Sequence, residues 1–211
     1  MSWIYNTSKK SSICNLGITY SQIGKKSKEY DCFNEALDIF KSIDNKGGQA
    51  IVLGNLGNYY ADLNDSDKAI EHFSLSLDLF EKLSMQPSKA ITLDNLALEY
   101  FRKYDIKLAI DYCLKSIEIV KKLNDNHSIA DKYQLLGSIY LFIGNYDLSE
   151  NYYDKSLSLF KEFNDNYRVS ILYLDLGIAL YKNGKNEKAI ECLKRSLNTQ
   201  NKECAKYSFE I

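Results

Sequence analysis

The chain has 211 residues, with 27 Lys and Arg against 28 Asp and Glu, and 45% of its residues are hydrophobic. These values are those of an average globular protein, and they exclude a disordered chain, a collagen-like fibre and a disulfide-dense mini-protein. The formal net charge of -1 supplies no basic stripe for phosphate or anionic lipid, so we expect neither nucleic acid nor a membrane as a partner.

Segments that would direct the chain to a membrane are not evident in the sequence. The longest uncharged stretch, residues 133–146, is shorter than the roughly 18–20 apolar residues of a spanning helix. The first ten residues show no apolar core of a secretory signal. Five cysteines without a C-x-x-C pair fit reduced thiols, so we expect a cytoplasmic protein.

A forty-residue repeat runs through the chain. A leucine followed by a small residue recurs at constant spacing in five pairs, Leu16-Gly17, Leu56-Gly57, Leu96-Ala97, Leu136-Gly137 and Leu176-Gly177. An aromatic residue follows in four copies, at Tyr20, Tyr60, Tyr100 and Tyr140, and Leu180 takes its place in the fifth. Such a fixed period predicts a repeat architecture.

Each copy contains two predicted helices, because its apolar residues follow a helical period, as in Leu53, Leu56 and Tyr60. The first helices are predicted near 8–22, 49–62, 88–102, 127–142 and 167–182. The second helices are predicted near 26–43, 66–83, 106–123, 146–163 and 186–198. One array of five units follows, at about 8–43, 49–83, 88–123, 127–163 and 167–198, with a C-terminal tail at 199–211.

Local signals support these helix ends and indicate how the helices pack. Asn64-Asp65-Ser66 offers capping oxygens for a second helix, and Pro87 suits a first helical position. Glycine inside a helix costs about 0.5–1 kcal/mol relative to alanine. We therefore expect the small residues of the five pairs to permit close approach of two helices.

The pattern large-x-x-Leu-Gly-x-x-Tyr, followed by small and aromatic residues on a second helix, resembles the tetratricopeptide repeat. The clearest copy is Leu53 to Tyr60 with Ala69, Phe73 and Ser76. The longer unit is similar to the extended subclass of kinesin light chains, LGN-type adaptors and Rap-like peptide sensors. Glu29 and Leu180 depart from the pattern. The resemblance implies an all-α, right-handed α-solenoid of five helix-turn-helix units, whose first helices line a concave groove.

The resemblance also implies a non-catalytic scaffold that binds a protein or peptide segment in this groove. In the extended subclass an asparagine before the Leu-Gly pair holds ligand backbone, and we carry that role to Asn15, Asn55 and Asn95. Asn58 extends the same surface. An amide side chain both donates and accepts, so it suits a peptide backbone. The alternative is that these asparagines only keep the groove hydrophilic.

In the later units the asparagine position is occupied by Leu135 and Asp175. The inward positions nearby are apolar, namely Phe101, Leu141, Phe142, Leu174, Ile178 and Tyr181. If exposed, they form an apolar patch of the kind that marks a contact site. We predict ligand contacts at Phe101, Phe142, Ile178 and Tyr181. The alternative is that the assignment of faces is displaced by one residue and several of them are core.

Catalytic and cofactor motifs are weak. His72 and His127 lack partners at metal-ligand spacing, and no metal or cofactor is expected. Two other functions remain open: a Rap-like regulatory peptide sensor, and an assembly arm that forms homo-oligomers through its C-terminal end. The second rests on the apolar tail residues Cys204, Tyr207 and Phe209.

Overall fold

The computed structural model describes the backbone of residues 2–207 and the side chains of residues 12–199. Over this range the chain forms ten helices and no strand. They are α1 (Ser2–Gln22), α2 (Lys26–Ser42), α3 (Lys46–Asp62), α4 (Ser66–Lys82), α5 (Gln86–Arg102), α6 (Ile106–Lys122), α7 (Asn126–Phe142), α8 (Tyr146–Glu162), α9 (Asn166–Lys182) and α10 (Asn186–Tyr207). None of the helices in the described part of the chain is both long and apolar enough to cross a membrane.

The turns between the helices follow a strict pattern. Each has three residues, and its middle residue has a positive φ; these residues recur every twenty positions, at Gly24, Asp44, Asn64, Ser84, Tyr104, Asn124, Gly144, Asn164 and Gly184. A backbone bond closes each turn; for example, the Asp65 amide donates to the Tyr60 carbonyl at 2.9 Å. The left-handed residue exposes the last helical carbonyls to such bonds. Each forty-residue repeat is therefore two helix-turn halves of equal length.

The residue that follows each left-handed position begins the next helix. Asp65 accepts a hydrogen bond from the Lys68 amide, which confirms the predicted cap of α4. Equivalent caps are formed by Asn45, Asp125, Asn145 and Asp165. Pro87 lies in the first turn of α5, where its missing N–H has no helical partner to lose.

Two predicted helix ends are wrong. Helix α1 begins at Ser2, not near residue 8, and α10 continues to Tyr207, so most of the predicted tail at 199–211 is helical. Neither segment contains a glycine or proline to stop a helix. The predicted ends followed the burial pattern of the repeat, and burial ends before the helices do.

The chain forms two compact units, Met1–Tyr112 and Cys113–Ile211, whose boundary falls within α6. In the first unit, a core between α1, α2 and α3 is built from Cys14, Phe33, Ala36, Leu37, Phe40, Val52 and Leu56. In the second unit, the main core includes Tyr153, Phe160, Leu172, Leu176 and Leu180. Both cores use the same columns of the repeat.

The mid-helix glycines lie against a side chain of the paired helix, as predicted. A Cβ atom at Gly57 would lie 2.5 Å from the Phe73 ring. The corresponding distances are 2.7 Å for Gly17 to Phe33, 2.7 Å for Gly137 to Tyr153 and 2.9 Å for Gly177 to Leu193. Any larger residue would force the two helices apart, so these glycines permit the close approach.

Small serines on the second helices also form hydrogen bonds that the sequence pattern did not reveal. Ser76 Oγ donates to the Ala50 carbonyl at 2.8 Å, and Ser156 Oγ donates to the Ala130 carbonyl at 2.7 Å. Ser196 makes the equivalent bond to Ser170. The small residue therefore both permits close packing and ties the two helices of a hairpin together.

Candidate functional site

In the first unit, the first helices α1, α3 and α5 carry the four predicted asparagines. We call Asn15, Asn55, Asn58 and Asn95 the asparagine row. Asn95 Nδ2 donates to Asn58 Oδ1 at 3.2 Å, which joins α5 to α3. Asn55 Nδ2 contacts Cys14 Sγ at 3.4 Å, which joins α3 to α1. The row therefore runs across three successive first helices.

The amide groups of this row retain hydrogen-bonding capacity. The Asn58–Asn95 bond uses one acceptor site on Asn58 and one N–H of Asn95. Because an asparagine amide has two N–H donors and an oxygen with two lone pairs, the pair still offers both donors and acceptors. Asn15 and Asn58 are exposed, whereas Asn55 and Asn95 are half-buried. This arrangement is suited to a ligand with alternating N–H and C=O groups.

Cys14 beneath the row is not chemically activated. Burial raises the pKa of its thiol, and this effect outweighs the opposing hydrogen bond from Asn55. A thiol with a raised pKa stays protonated at neutral pH and is a poor nucleophile. Cys14 therefore packs as a small apolar residue of the core.

Exposed apolar residues flank the asparagine row, and sequence reasoning missed them. Ile51 and Ile91 lie one helical turn before Asn55 and Asn95, and Leu98 follows Asn95 by three residues; all three are exposed. Residues three or four apart share a helix face. Comparing equivalent positions of the five repeats would have found them. The surface of the first unit is thus amide-bearing and apolar together.

A cleft of about 200 Å³ adjoins the asparagine row. Helices α1, α2 and α3 contribute its lining, which consists of Ile18, Ser21, Glu29, Phe33, Asn55 and Asn58. We call it the Glu29 cleft. It contains the buried carboxylate at which the first repeat departs from the tetratricopeptide pattern.

In the second unit, three of the inward positions form an exposed stripe along α9. Leu174, Ile178 and Tyr181 are 42%, 40% and 64% exposed and lie at helical spacing. We call these three residues the α9 stripe. Phe142 on α7 is also exposed, at 55%. The condition set for an apolar contact surface is thus met by these residues.

The other two apolar positions are placed differently. Leu141 is partly buried against the core of the second unit. Phe101, in the first unit, is half-buried. Phe101 therefore offers less surface to a ligand than its position in the repeat suggests.

Asp175 occupies the asparagine position of the second unit. Gln134 Nε2 on α7 donates to Asp175 Oδ2 at 3.1 Å. Burial raises the pKa of the Asp175 carboxyl, and the hydrogen bond from Gln134 opposes this rise. An acidic side chain thus replaces the neutral amides of the first unit at the same position.

Two further expectations concern metals and oligomers. Among the side chains of residues 12–199, no three His, Cys, Asp or Glu residues converge as metal ligands. The side chains of Cys204, Tyr207 and Phe209 lie outside the described residues, so the C-terminal homo-oligomer stays a prediction. Light scattering over a range of protein concentrations checks it, because a self-associating chain gains mass with concentration.

Comparison with known families and structures gives a consistent result. A model of the tetratricopeptide repeat family matches residues 30–82, 48–122, 88–162 and 128–202. A direct comparison with curated protein sequences gives no significant match.

Several solved structures are similar to the chain. BtubC (BKLC) from P. vanneervenii superposes with a TM-score of 0.88 at 19% identity, over 95% of this chain and 83% of that one. A putative kinesin light chain from Podosopora anserina with nearly identical TPR-like repeats gives 0.80 at 16% identity, over 94% and 97%. A Rap protein complexed with competence and sporulation factor gives 0.74 at 18% identity, over 89% and 52%. At such identities the likeness shows the fold.

Proposed function

Since the chain belongs to the tetratricopeptide repeat family and has its all-α solenoid fold, we propose that it is a non-catalytic scaffold that binds an extended peptide segment. The family supports a protein-interaction role. The finer proposal places the peptide along the first helices, with its backbone on the asparagine row. No cofactor takes part in this function.

The observation that carries the proposal is the amide pair of Asn58 and Asn95, which joins two successive first helices at 3.2 Å. An extended peptide presents N–H and C=O groups alternately along its length. Side-chain amides on neighbouring helices pair with both kinds of group and recognise the backbone of any sequence. Affinity would therefore come from the asparagine row.

Selectivity would come from apolar residues near each row. In the first unit these are Ile51, Ile91 and Leu98, and in the second unit they are Phe142 and the α9 stripe. Exposed aromatic side chains such as Tyr181 supply large contact area at low entropic cost. We expect Phe101, which is half-buried, to contribute less.

The test uses a random twelve-residue peptide library displayed on phage and selected on the wild-type protein. The affinity of selected peptides is then measured by fluorescence anisotropy. Asn55→Ala combined with Asn95→Ala should weaken binding at least about tenfold, because each lost hydrogen bond is worth about 0.5–1.5 kcal/mol. Asn151→Ala, at an exposed position of α8, is the matched control and should leave affinity unchanged.

Two results would contradict the proposal. Selected peptides that bind the double variant as tightly as the wild type would show that the asparagine row is not the site. A large fall in thermal stability of the double variant would show that the amides hold the fold together, since surface substitutions usually change stability by no more than about 0.5 kcal/mol.

A second candidate function is that of a sensor for a short free peptide. The likeness to a Rap protein solved with competence and sporulation factor favours it. A sensor of this kind recognises the ends of its ligand, whereas a scaffold accepts an internal segment. Embedding a selected peptide in a flexible loop of a carrier protein separates the two, because only a scaffold should still bind it.

We also propose a cytoplasmic location. Cys14, Cys32, Cys113 and Cys192 are free thiols. Free thiols persist in reducing compartments, whereas secreted proteins tend to pair them.

A further inference from the structure

The second helix of the first repeat carries a carboxylate at a position that is small in the other repeats. Glu29 aligns with Ala69, Ala109, Ser149 and Ala189, and all five positions are buried. Packing alone is satisfied by alanine at this place in three hairpins. Glu29 is therefore not required by the fold.

Glu29 is deeply buried but incompletely hydrogen-bonded. It is only 2% exposed, and its Oε2 atom has no hydrogen-bond partner among the described residues. The Nζ atom of Lys26 lies 3.1 Å from Oε2, but it lies closer, at 2.7 Å, to Asp62 Oδ2. One cation thus serves two carboxylates, and this group of three carries a net negative charge.

Glu99 on α5 shows how the same unit treats a buried carboxylate that is purely structural. It is also 2% exposed. Its two oxygens are each engaged, Oε2 by the Ser66 hydroxyl at 2.7 Å and Oε1 by Arg102 at 2.7 Å. A buried carboxylate without such partners carries a desolvation cost. The difference indicates that Glu29 lacks a partner that a ligand can supply.

The surroundings of Glu29 define that ligand. The Glu29 cleft has about 200 Å³ of space, apolar walls formed by Ile18 and Phe33, and amides from Asn55 and Asn58. A long aliphatic stem ending in a cation matches apolar walls with a carboxylate between them. We propose that the cleft binds a lysine or arginine side chain of the bound peptide, with its cation on Glu29 and its stem against Ile18 and Phe33.

This inference rests on the proposed peptide binding, because the cleft shares Asn55 and Asn58 with the asparagine row. It adds a requirement that the row does not impose. The row accepts the backbone of any sequence, whereas the Glu29 cleft demands one basic residue in the register that places it over α2. The peptide would thus be fixed in both direction and register.

The experiment repeats the phage selection on the wild type and on Glu29→Ala, with synthetic peptides acetylated at the N-terminus so that the only cations are side chains. Peptides selected on the wild type should share a lysine or arginine at one position. Replacing that residue by the uncharged isostere norleucine, or by glutamine in an arginine peptide, should weaken binding at least about tenfold, the loss expected when one member of a buried charge pair is removed.

The Glu29→Ala variant should show the same loss for the basic peptide and no further loss for the neutral one. It should fold, because alanine already occupies the equivalent position in three repeats, and Glu29→Gln provides a second variant of nearly unchanged shape. Asp62→Asn is the matched control, because it removes the other partner of Lys26 outside the cleft and should leave the preference for a basic residue intact.

The outcomes separate this inference from the proposed function. Peptides that depend on Asn55 and Asn95 but share no basic position, or that lose charge preference no more in Glu29→Ala than in Asp62→Asn, would overturn the inference alone. Selection that yields no peptide dependent on the asparagines would overturn both proposals.

Discussion

The two units of this protein use one buried framework and present two different surfaces. Leu56 in the first unit and Leu136 in the second are completely buried in the same column of the repeat. One residue earlier, the first unit has Asn55 and the second has Leu135. The repeat therefore constrains the columns that pack between helices and leaves the adjacent exposed columns free to differ. Binding specificity belongs to those exposed columns.

The largest expected effect tests whether the buried framework is equivalent in the two units. Gly57→Leu and Gly137→Leu each insert a side chain where a Cβ atom alone would lie 2.5 Å and 2.7 Å from a facing ring. Overpacking of this kind costs about 1–3 kcal/mol or more. Chemical denaturation measures both losses, and an unchanged midpoint for either variant would contradict the packing account.

The next effect tests whether the surfaces differ in function. Phe142→Ser combined with Tyr181→Ser removes two exposed aromatic residues of the second unit. Affinity for selected peptides should fall about tenfold or more, since burying one such side chain is worth about 1.5–3 kcal/mol. Fluorescence anisotropy measures the change. Leu148→Ser, at an exposed position of α8, is the control, and an equal loss there would point to a non-specific effect.

A smaller effect separates two glycines on α3. Gly57 faces Phe73, but a Cβ atom at Gly54 would meet only Ser76 Oγ, at an ordinary 3.5 Å. Gly54→Ala should therefore raise the free energy of unfolding by about 0.5–1 kcal/mol, the helical advantage of alanine over glycine. Denaturant titration of Gly54→Ala beside Gly57→Ala checks this. Destabilisation by both would mean that α3 packs closely along its whole length.

The smallest effect concerns the column that holds neutral asparagine in the first unit and Asp175 in the second. Burial raises the pKa of Asp175 above its unfolded value, so the folded state binds a proton first as pH falls. The contribution of Asp175 to stability is therefore unfavourable at neutral pH and improves as pH falls through the folded pKa. Asp175→Asn should raise the Tm at neutral pH and remove this acid gain.

Asp65 supplies the control of opposite sign for that measurement. Its side-chain hydrogen bond with Lys68, followed by the Lys68 backbone amide, holds the pKa of Asp65 below its ordinary value. Stability from Asp65 is therefore present at neutral pH and is lost as pH falls through the folded pKa. Thermal unfolding at neutral and mildly acidic pH compares the two, and the same sign for both aspartates would refute the assignment.

Most of the fold could be predicted from the sequence because the repeat fixes both period and burial. The helical spacing and the capping aspartates gave interior helix ends within a few residues of those observed. The outer ends of α1 and α10 could not be predicted, since polar residues without glycine or proline continue a helix after packing has ended. The left-handed turns at Ser84 and Tyr104 carry no signal in their residue type.

The candidate site was less predictable, because it depends on contacts between repeats. The sequence pattern identified the asparagines, but the bond between Asn58 and Asn95 depends on how α3 and α5 pack. Glu29 was visible only as a departure from the pattern. Its burial and incomplete hydrogen bonding required the packing of three helices.

The equal length of the helix-turn halves has a consequence for how such a chain grows. Because a left-handed residue recurs every twenty positions, a duplicated gene segment of forty residues joined at any of these residues adds a complete hairpin and leaves every other helix in its role. A duplication of twenty residues instead exchanges the two kinds of helix downstream and sets large side chains where the mid-helix glycines must be. Lengthening by whole pairs is thus tolerated, and lengthening by single helices is not.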